Sequence, residues 1–442
     1  MRSVTQFFVK LADRWMPDPL VIAVFLTVVC ISAAVLFTDF GPIDTINAWG
    51  TSFWNLLAFT MQMVLILGLG HIAAHTDPVN RVLQCIADHV KSANAAYAGM
   101  AALAGFLGLF SWGLALIVPA VMSRILAQSC RDRGIRAHFP LIVASGWLGA
   151  STSMQGLSSS IPLTINTPGH FLESQVGLVP LSETIFSPWS LAIVFTKLAA
   201  ITFIVTRLAP ADGDIRELQS TEPPYPSPSA PNSPDTSSPS GVVENARGVT
   251  LVLAVLAAAY AAIHFGKGGA LNLNTMNVCL LALGLALASS PRHYLHLLGN
   301  AGRVVAPFII QYPLYAGIMG VIALSGLGAM FVGGFVAISG DQALPIWTFL
   351  SAGILNIFIP SAGGQWAVQG PVVVEAAHQL GADIPRVAMA LTLGESWTNA
   401  IQPLYAIPVL AVAGLHVRDV MGYGVVILAL NGVIYSVGLL FF

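Results

Sequence analysis

Two polar runs interrupt otherwise apolar stretches and hold most of the residues able to do chemistry. The first is Gly149-Ala150-Ser151-Thr152-Ser153-Met154-Gln155-Gly156-Leu157-Ser158-Ser159-Ser160, followed by Pro162. The second is Gly394-Glu395-Ser396-Trp397-Thr398-Asn399-Ala400-Ile401-Gln402-Pro403. Proline inside a helix removes a backbone donor and clashes with the preceding turn, and clustered Ser, Thr and Asn offer the backbone other hydrogen bonds. Both runs mark places where a helix unwinds. Unwinding leaves N–H groups at a new helix N-terminus, an electropositive end suited to a carboxylate, and frees carbonyls suited to Na⁺ or water.

Two shorter interruptions, Ser111-Trp112-Gly113 and Ser361-Ala362-Gly363-Gly364-Gln365, split other apolar stretches. Ser111 with Ser151, Thr152 and Ser153 is expected to form one half of a ligand site. Ser361, Gly363, Gly364 and Gln365 with Ser396, Thr398 and Asn399 form the other, and Trp112, Trp366 and Trp397 could supply an apolar wall. Small polar residues also mediate close helix packing in membranes, so packing is the competing account of each. Glu395 is the sharpest single residue, because a carboxylate deep in an apolar span faces a cavity or a partner. It could carry a proton for coupling or anchor helix ends. Lys197 is the other ion within a span, and snorkelling or a structural pair would account for it.

His71 and His75 have metal-ligand spacing on one helix face, but no Cys, Asp or Glu completes a set. Cys30, Cys85, Cys130 and Cys279 are far apart and read as small apolar fillers. There is no zincin motif, Walker loop or nucleophile elbow, so no catalytic residue, metal or cofactor is expected, and no ATP site is evident.

The elements that position these residues must sit in lipid. Of 442 residues, 56% are hydrophobic and only 9% charged, where a soluble domain averages about 25% charged. The net charge of −2 gives no reason to expect nucleic acid. Spans of about 20 apolar residues are expected at 20–37, 53–74, 141–163, 188–208, 249–265, 274–289, 304–324, 387–413 and 421–440. The stretches at about 95–128 and 345–378 are each long enough for two short helices around a polar break. They read as kinked spans or as re-entrant hairpins.

Charge favours the hairpins. With the N-terminus cytoplasmic, every basic residue except Lys197, Lys267 and Arg386 then falls on the inner side. Counting each stretch as one crossing would put Arg124, Arg131, Arg133 and Arg136 outside. The Pro/Ser-rich run from Thr221 to Ser240 reads as a disordered or polyproline-like cytoplasmic linker.

The two halves match in register. Gln62 and Gln311 are 249 residues apart, Ser111 and Ser361 are 250 apart, and so are Trp147 and Trp397. The expected organisation is a first repeat over 1–208 (hairpin 95–128, interrupted helix 140–163), a linker over 209–247, an extra connecting helix over 248–271, and a second repeat over 272–442 (hairpin 345–378, interrupted helix 386–413). The first half and the extra helix cross five times, so the second repeat is inverted and the C-terminus lies outside. The fold class is an all-α integral membrane protein with two inverted-topology repeats, an arrangement typical of secondary transporters.

The sequence also resembles the bacterial short-chain fatty acid transporter family, whose members include importers of acetoacetate and butyrate. The resemblance runs through Arg14-Trp15-Met16-Pro17-Asp18-Pro19-Leu20, Phe53-Trp54-Asn55-Leu56-Leu57-Ala58-Phe59, Met61-Gln62-Met63 and Thr275-Met276-Asn277. It continues through Gln365-Trp366-Ala367-Val368-Gln369-Gly370-Pro371, Ala376 to Asp383, Gly394-Glu395-Ser396-Trp397 and Arg418-Asp419-Val420-Met421-Gly422-Tyr423. It covers nearly the whole chain apart from the linker. It implies a carrier of short monocarboxylates in the inner membrane, driven by H⁺ or Na⁺. Through a wider superfamily of anion carriers it implies a homodimer working by an elevator mechanism. No matched pair of buried arginines suggests a dicarboxylate clamp. Carriers of other organic anions and, less readily, a channel are the alternatives; an intramembrane enzyme lacks its catalytic groups.

Overall fold

The computed structural model describes residues 19–218 and 238–441, apart from Phe358, Pro360, Pro403, Leu404, Ile407, Pro408, Ala411 and Val412. Most of the Pro/Ser linker and part of the second interrupted span therefore lie outside the described residues. Lipid offers no partner to backbone N–H and C=O groups, so a chain this apolar satisfies them within helices, and no strand occurs among the described residues.

The helices are α1 (Pro19–Phe37), α2 (Pro42–Ser52), α3 (Leu57–Ala74), α4 (Asp77–Asp88), α5 (Ala93–Phe110), α6 (Trp112–Asp132), α7 (Phe139–Gly149), α8 (Ser160–Ile165), α9 (Glu173–Val176) and α10 (Pro188–Val205). They continue with α11 (Pro239–Asn245), α12 (Arg247–Gly266), α13 (Leu273–Leu287), α14 (Pro291–Leu324), α15 (Leu327–Ile338), α16 (Leu344–Leu355), α17 (Ala362–Leu380), α18 (Ile384–Thr398) and α19 (Val417–Phe441). Six of these are long and apolar enough to cross a membrane, and α14 makes a seventh, bent by 43° between Pro291–Arg303 and Phe308–Leu324. Large apolar side chains on α1 and α12, such as Phe25, Val252, Leu256 and Ile263, are exposed, as lipid-facing surfaces require.

The helices gather into two bodies. In the first, α3 packs between α13 and α14, and α14 also carries α1 and α2. Gln62 ties α3 to α13 by donating to Asn274 Oδ1 and by accepting at its carbonyl from Asn277 Nδ2. The second body contains α5 to α8, α10 and α16 to α19. It meets the first where α6 lies on α3 and α17 lies on α14.

Two antiparallel helix pairs organise the second body. In the first pair, α5 ends at Ser111 and α6 begins at Trp112, so one extended residue makes the tip. At the open end the Arg133 guanidinium donates to the carbonyls of Ala87, Asp88 and Val90, closing the base. Each arm is long enough to cross by itself, longer than the sequence suggested. Sidedness is unaffected, because both arms return to one face whether the tip stops midway or not. In the second pair, Gln365 Nε2 bonds Ala352 O and Gln369 Nε2 bonds Ser351 Oγ, fixing α16 against α17. Its break precedes Ala362, so Gly363, Gly364 and Gln365 lie in the first turn of α17 rather than in the loop.

Contacts between loops sort them into two ends. At one end Arg124 donates to Ala413 O, Arg131 to Leu218 O, and Arg216 pairs with Asp419 at 2.9 Å. At the other, Asn166 donates to Leu271 O, His378 meets Gln175 O and Arg386 donates to Leu439 O. Residues 209–218 form a strap across the first end. Phe139 N donates to Arg216 O, Arg216 N donates to His138 Nδ1, and Leu218 is buried.

Three further features differ from the sequence-based expectation. Pro239 opens α11, so helix begins inside the run expected to be disordered. α15, of 12 residues, has no counterpart among the expected spans, being too short to register as one. α14 starts at Pro291 rather than near Val304, because the polar turn from Arg292 to Arg303 hides its first half from a hydropathy reading.

Close backbone approach makes Gly156 irreplaceable. A Cβ there would lie 2.3 Å from Gly108 O and 2.8 Å from Leu109 Cα. Gly156→Ala should destabilise the detergent-solubilised protein by about 1–3 kcal/mol. Gly99→Ala, where nothing lies within 4 Å, should leave its melting temperature unchanged or higher; equal melting of the two variants would contradict the packing.

The strap gives a pH dependence. Burial, then Arg216, pushes the His138 pKa down to about 4, against about 6.5 for a free imidazole. The unfolded chain takes up the proton first, so this stabilisation is complete above about pH 6.5 and is lost as pH falls through about 4. Melting temperatures from pH 8 to 4 should fall more for the wild type than for His138→Gln, whose amide oxygen still accepts from Arg216. Equal slopes would rule out His138.

Candidate functional site

Each helix break docks on a hairpin tip, because its freed backbone groups need partners inside the protein. The first break runs through a 3₁₀ turn, Ala150–Gln155, to Gly156–Ser159 before α8. Leu157 N donates to Leu109 O at 2.7 Å, Trp112 N to Ser158 Oγ at 2.8 Å, and Thr152 Oγ1 to Gly105 O at 2.7 Å. The tip itself lies against α3, where a Cβ at Gly70 would lie 3.2 Å from the Ser111 hydroxyl and 3.4 Å from Gly113 Cα.

The second break begins at the 3₁₀ turn Asn399–Ile401. Asn356, at the end of α16, is its hub. Its Nδ2 donates to Glu395 O at 3.1 Å, Thr398 Oγ1 at 3.0 Å and Asn399 Oδ1 at 2.8 Å. Its carbonyl accepts from Gln402 Nε2. Asn399 Nδ2 donates to Glu395 Oε1 at 2.9 Å. Ser361 caps α17 by accepting from Gly364 N and shares a 3.0 Å hydrogen bond with the Tyr312 hydroxyl of α14. Glycine is needed beside it: a Cβ at Gly363 would lie 2.6 Å from the Phe59 ring, and one at Gly364 2.6 Å from Tyr315.

The two breaks meet at a third cluster. Ser151 O accepts from Ser396 Oγ at 3.2 Å and from Lys197 Nζ at 3.0 Å; Lys197 also donates to the Tyr435 hydroxyl at 2.7 Å, which sits 3.0 Å from Ser396 Oγ. Residues from α10, α18, α19 and the first break thus share one network.

Buried polar atoms without a partner among the described residues concentrate at these junctions. They include Ser111 Oγ, Trp112 Nε1 and Gln155 Oε1 on one side, and Asn356 Oδ1, Gln365 Oε1, Trp366 Nε1, Glu395 Oε2 and Gln402 Oε1 on the other. Buried polar groups are ordinarily satisfied, so such a concentration marks where a ligand, ion or water belongs. No group of three or more His, Cys, Asp or Glu among the described residues could hold a metal. The His71 and His75 rings lie 4.2 Å apart, tilted by 30°.

Comparison with known proteins decides the class. Residues 1–442 match the family described as "Short chain fatty acid transporter". The chain belongs to that family. Similar relatives come from Escherichia coli (strain K12), 34% identical over 440 residues, and Haemophilus influenzae (strain ATCC 51907 / DSM 11121 / KW20 / Rd), 33% identical over 449. Each covers 99% of both chains and is named "Putative short-chain fatty acid transporter". Two solved structures share the fold. The Alcanivorax borkumensis YdaH transporter has a TM-score of 0.58 at 14% identity, covering 95% of this chain and 98% of its own. Neisseria gonorrhoeae MtrF, described as illuminating a class of antimetabolite efflux pumps, has a TM-score of 0.57 at 15% identity, covering 97% and 96%. The family member is therefore a multi-pass membrane transporter rather than an enzyme.

Within this transporter the residues singled out from the sequence divide by role. The hydroxyls of Ser151 and Thr152 bond backbone carbonyls, and Trp397 donates to Leu428 O while packing on Phe349. Thr398 bonds Gly353 O and Asn356, and Ser153 faces Tyr405. Ser111, Gln365, Trp366 and Glu395 keep open atoms. Lys197 does not snorkel; it is completely buried. Sequence reasoning missed Asn356, Gln402, Tyr312 and Tyr435. Asn356, a polar residue in the apolar run ahead of the second tip, carried a usable signal. Asn356→Ala leaves Asn399 Oδ1 without a partner among the described residues, a loss of about 1–3 kcal/mol, and should lower transport about tenfold or more with the protein still monodisperse. Unchanged kinetics would remove the hub from the site.

Proposed function

We propose that this protein is a secondary active carrier that moves short-chain monocarboxylates such as butyrate and acetoacetate across the bacterial inner membrane, coupled to H⁺ or Na⁺. The observation that carries the reading is the junction of two broken helices with two hairpin tips in one body, set against a second body built on α3 and α14. A short monocarboxylate needs one anion-binding end and a small apolar pocket. Backbone groups freed at the first break supply the first, and Trp112 and Trp366 the second. Glu395, with one oxygen held by Asn399 and the other open, is the cation-coupling residue.

The two bodies act as transport domain and scaffold of an elevator, working as a homodimer. The matched tips at Ser111 and Ser361, both extended residues that begin a helix, favour inverted repeats. The end bearing Arg124, Arg131, Arg133 and Arg216 is cytoplasmic by the positive-inside rule. The end bearing Asn166, His378 and Leu439 is outside, with the N-terminus inside and the C-terminus outside.

Labelled butyrate uptake into proteoliposomes, with Na⁺ and H⁺ gradients imposed separately, tests the reading. Saturable accumulation under one gradient supports it and names the ion; conduction without saturation would favour a channel, and uptake of another organic anion alone would change the substrate. Glu395→Gln should abolish gradient-driven accumulation while exchange of labelled for unlabelled substrate persists. Normal accumulation by that variant would remove Glu395 from coupling.

A further inference from the structure

Lys197 is a completely buried lysine in the middle of α10, and no carboxylate oxygen among the described residues lies within ion-pair distance of it. In its charged form, Lys197 sets the protons around it. An ammonium only donates, so the Tyr435 oxygen and Ser151 O both accept from Nζ. Tyr435 then donates its own proton to Ser396 Oγ, and Ser396 donates to Ser151 O. The ring closes with every proton assigned, yet all its acceptors are neutral. The acid whose charge reaches Lys197 is Glu395, the residue preceding Ser396 on α18. Facing Glu395 from the surrounding elements are Lys197 of α10, Tyr312 of α14, Tyr435 of α19 and Tyr405, with the uncharged Asn399 on its own turn. Lys197 is the one cation in that set.

We infer that Lys197 is the fixed positive charge that makes anion binding conditional on neutralisation of Glu395. While Glu395 is ionised, the buried pair is neutral overall and a further carboxylate is repelled. Once a proton or Na⁺ neutralises Glu395, Lys197 is uncompensated in a medium where a lone charge is costly, and the substrate carboxylate restores neutrality. Cation and anion then bind together, one of each. This inference rests on the carrier reading above and deepens it. Lys197 acts through the field and through the Ser151 break that it holds, so it is a positioning and charge-setting residue.

The test is the apparent KM for butyrate in counterflow exchange, measured at pH 6 and pH 8 and with and without Na⁺. In the wild type the effective cation should lower KM by at least about fivefold, and the two arms distinguish H⁺ from Na⁺. Lys197→Met should show a high KM that no longer responds to either cation. Lys197→Arg should keep the response, and Glu395→Gln should show a low KM without response. A Lys197→Met protein with the wild-type cation response overturns the inference, as does lost rate at unchanged KM, the mark of a purely structural role. Should Lys197→Met fail to fold, the variant lacking both charges, Lys197→Met with Glu395→Gln, carries the test. Its KM should exceed that of Glu395→Gln alone by at least about fivefold, and equality overturns the inference. Loss of accumulation in Glu395→Gln together with a surviving cation response in Lys197→Met would strike Lys197 only; normal accumulation in Glu395→Gln would strike the coupling reading itself.

Discussion

A broken helix in lipid is tolerable only if its freed backbone groups find partners in the protein, and the architecture of the second body follows from that requirement. The first break closes on the tip after Leu109, through Leu157 N and Trp112 N. The second closes on Asn356 and, through Gln402, on the carbonyls of Asn356 and Ile357. Neither break would be stable without its hairpin, and each tip in turn is capped by its break. Each break and its hairpin therefore form one packed unit.

The same requirement explains how much was legible from the sequence. Apolar length and Pro/Ser/Thr/Asn clustering locate both breaks and both tips within a few residues, because those are local backbone properties. The alternation of loops between two ends is legible through arginine, since a guanidinium is costly to translocate. Tertiary partners are not local. Ser151 and Thr152 look like free ligand groups in the sequence, but their hydroxyls serve nearby carbonyls. Asn356 looks incidental in its apolar run, yet it organises three acceptors on other turns. Helices below the length of a span, such as α15, or with a polar first half, such as α14, leave too weak a hydropathy signal.

Lys197 shows the limit most clearly. A lysine in a span has two ordinary fates, reaching the headgroups or pairing with a carboxylate. Here it takes neither, and its neighbours Tyr435 and Ser396 come from the far half of the chain. Only the assembled structure reveals that the charge stands beside the first break.

α3 touches both tips, at the second beside α14, but the two contacts differ in kind. At Gly70 and Gly113 two backbones approach with only the small Ser111 hydroxyl beside them, so little side-chain volume interlocks there. Eleven residues away, about 16 Å along the helix, Phe59 and Tyr312 meet edge to face at the other tip, and Tyr312 holds Ser361 through its hydroxyl. Displacement there must part interleaved rings and a buried hydrogen bond. α3 thus borders a smooth, nearly side-chain-free contact at one tip and, together with α14, an interlocked aromatic one at the other.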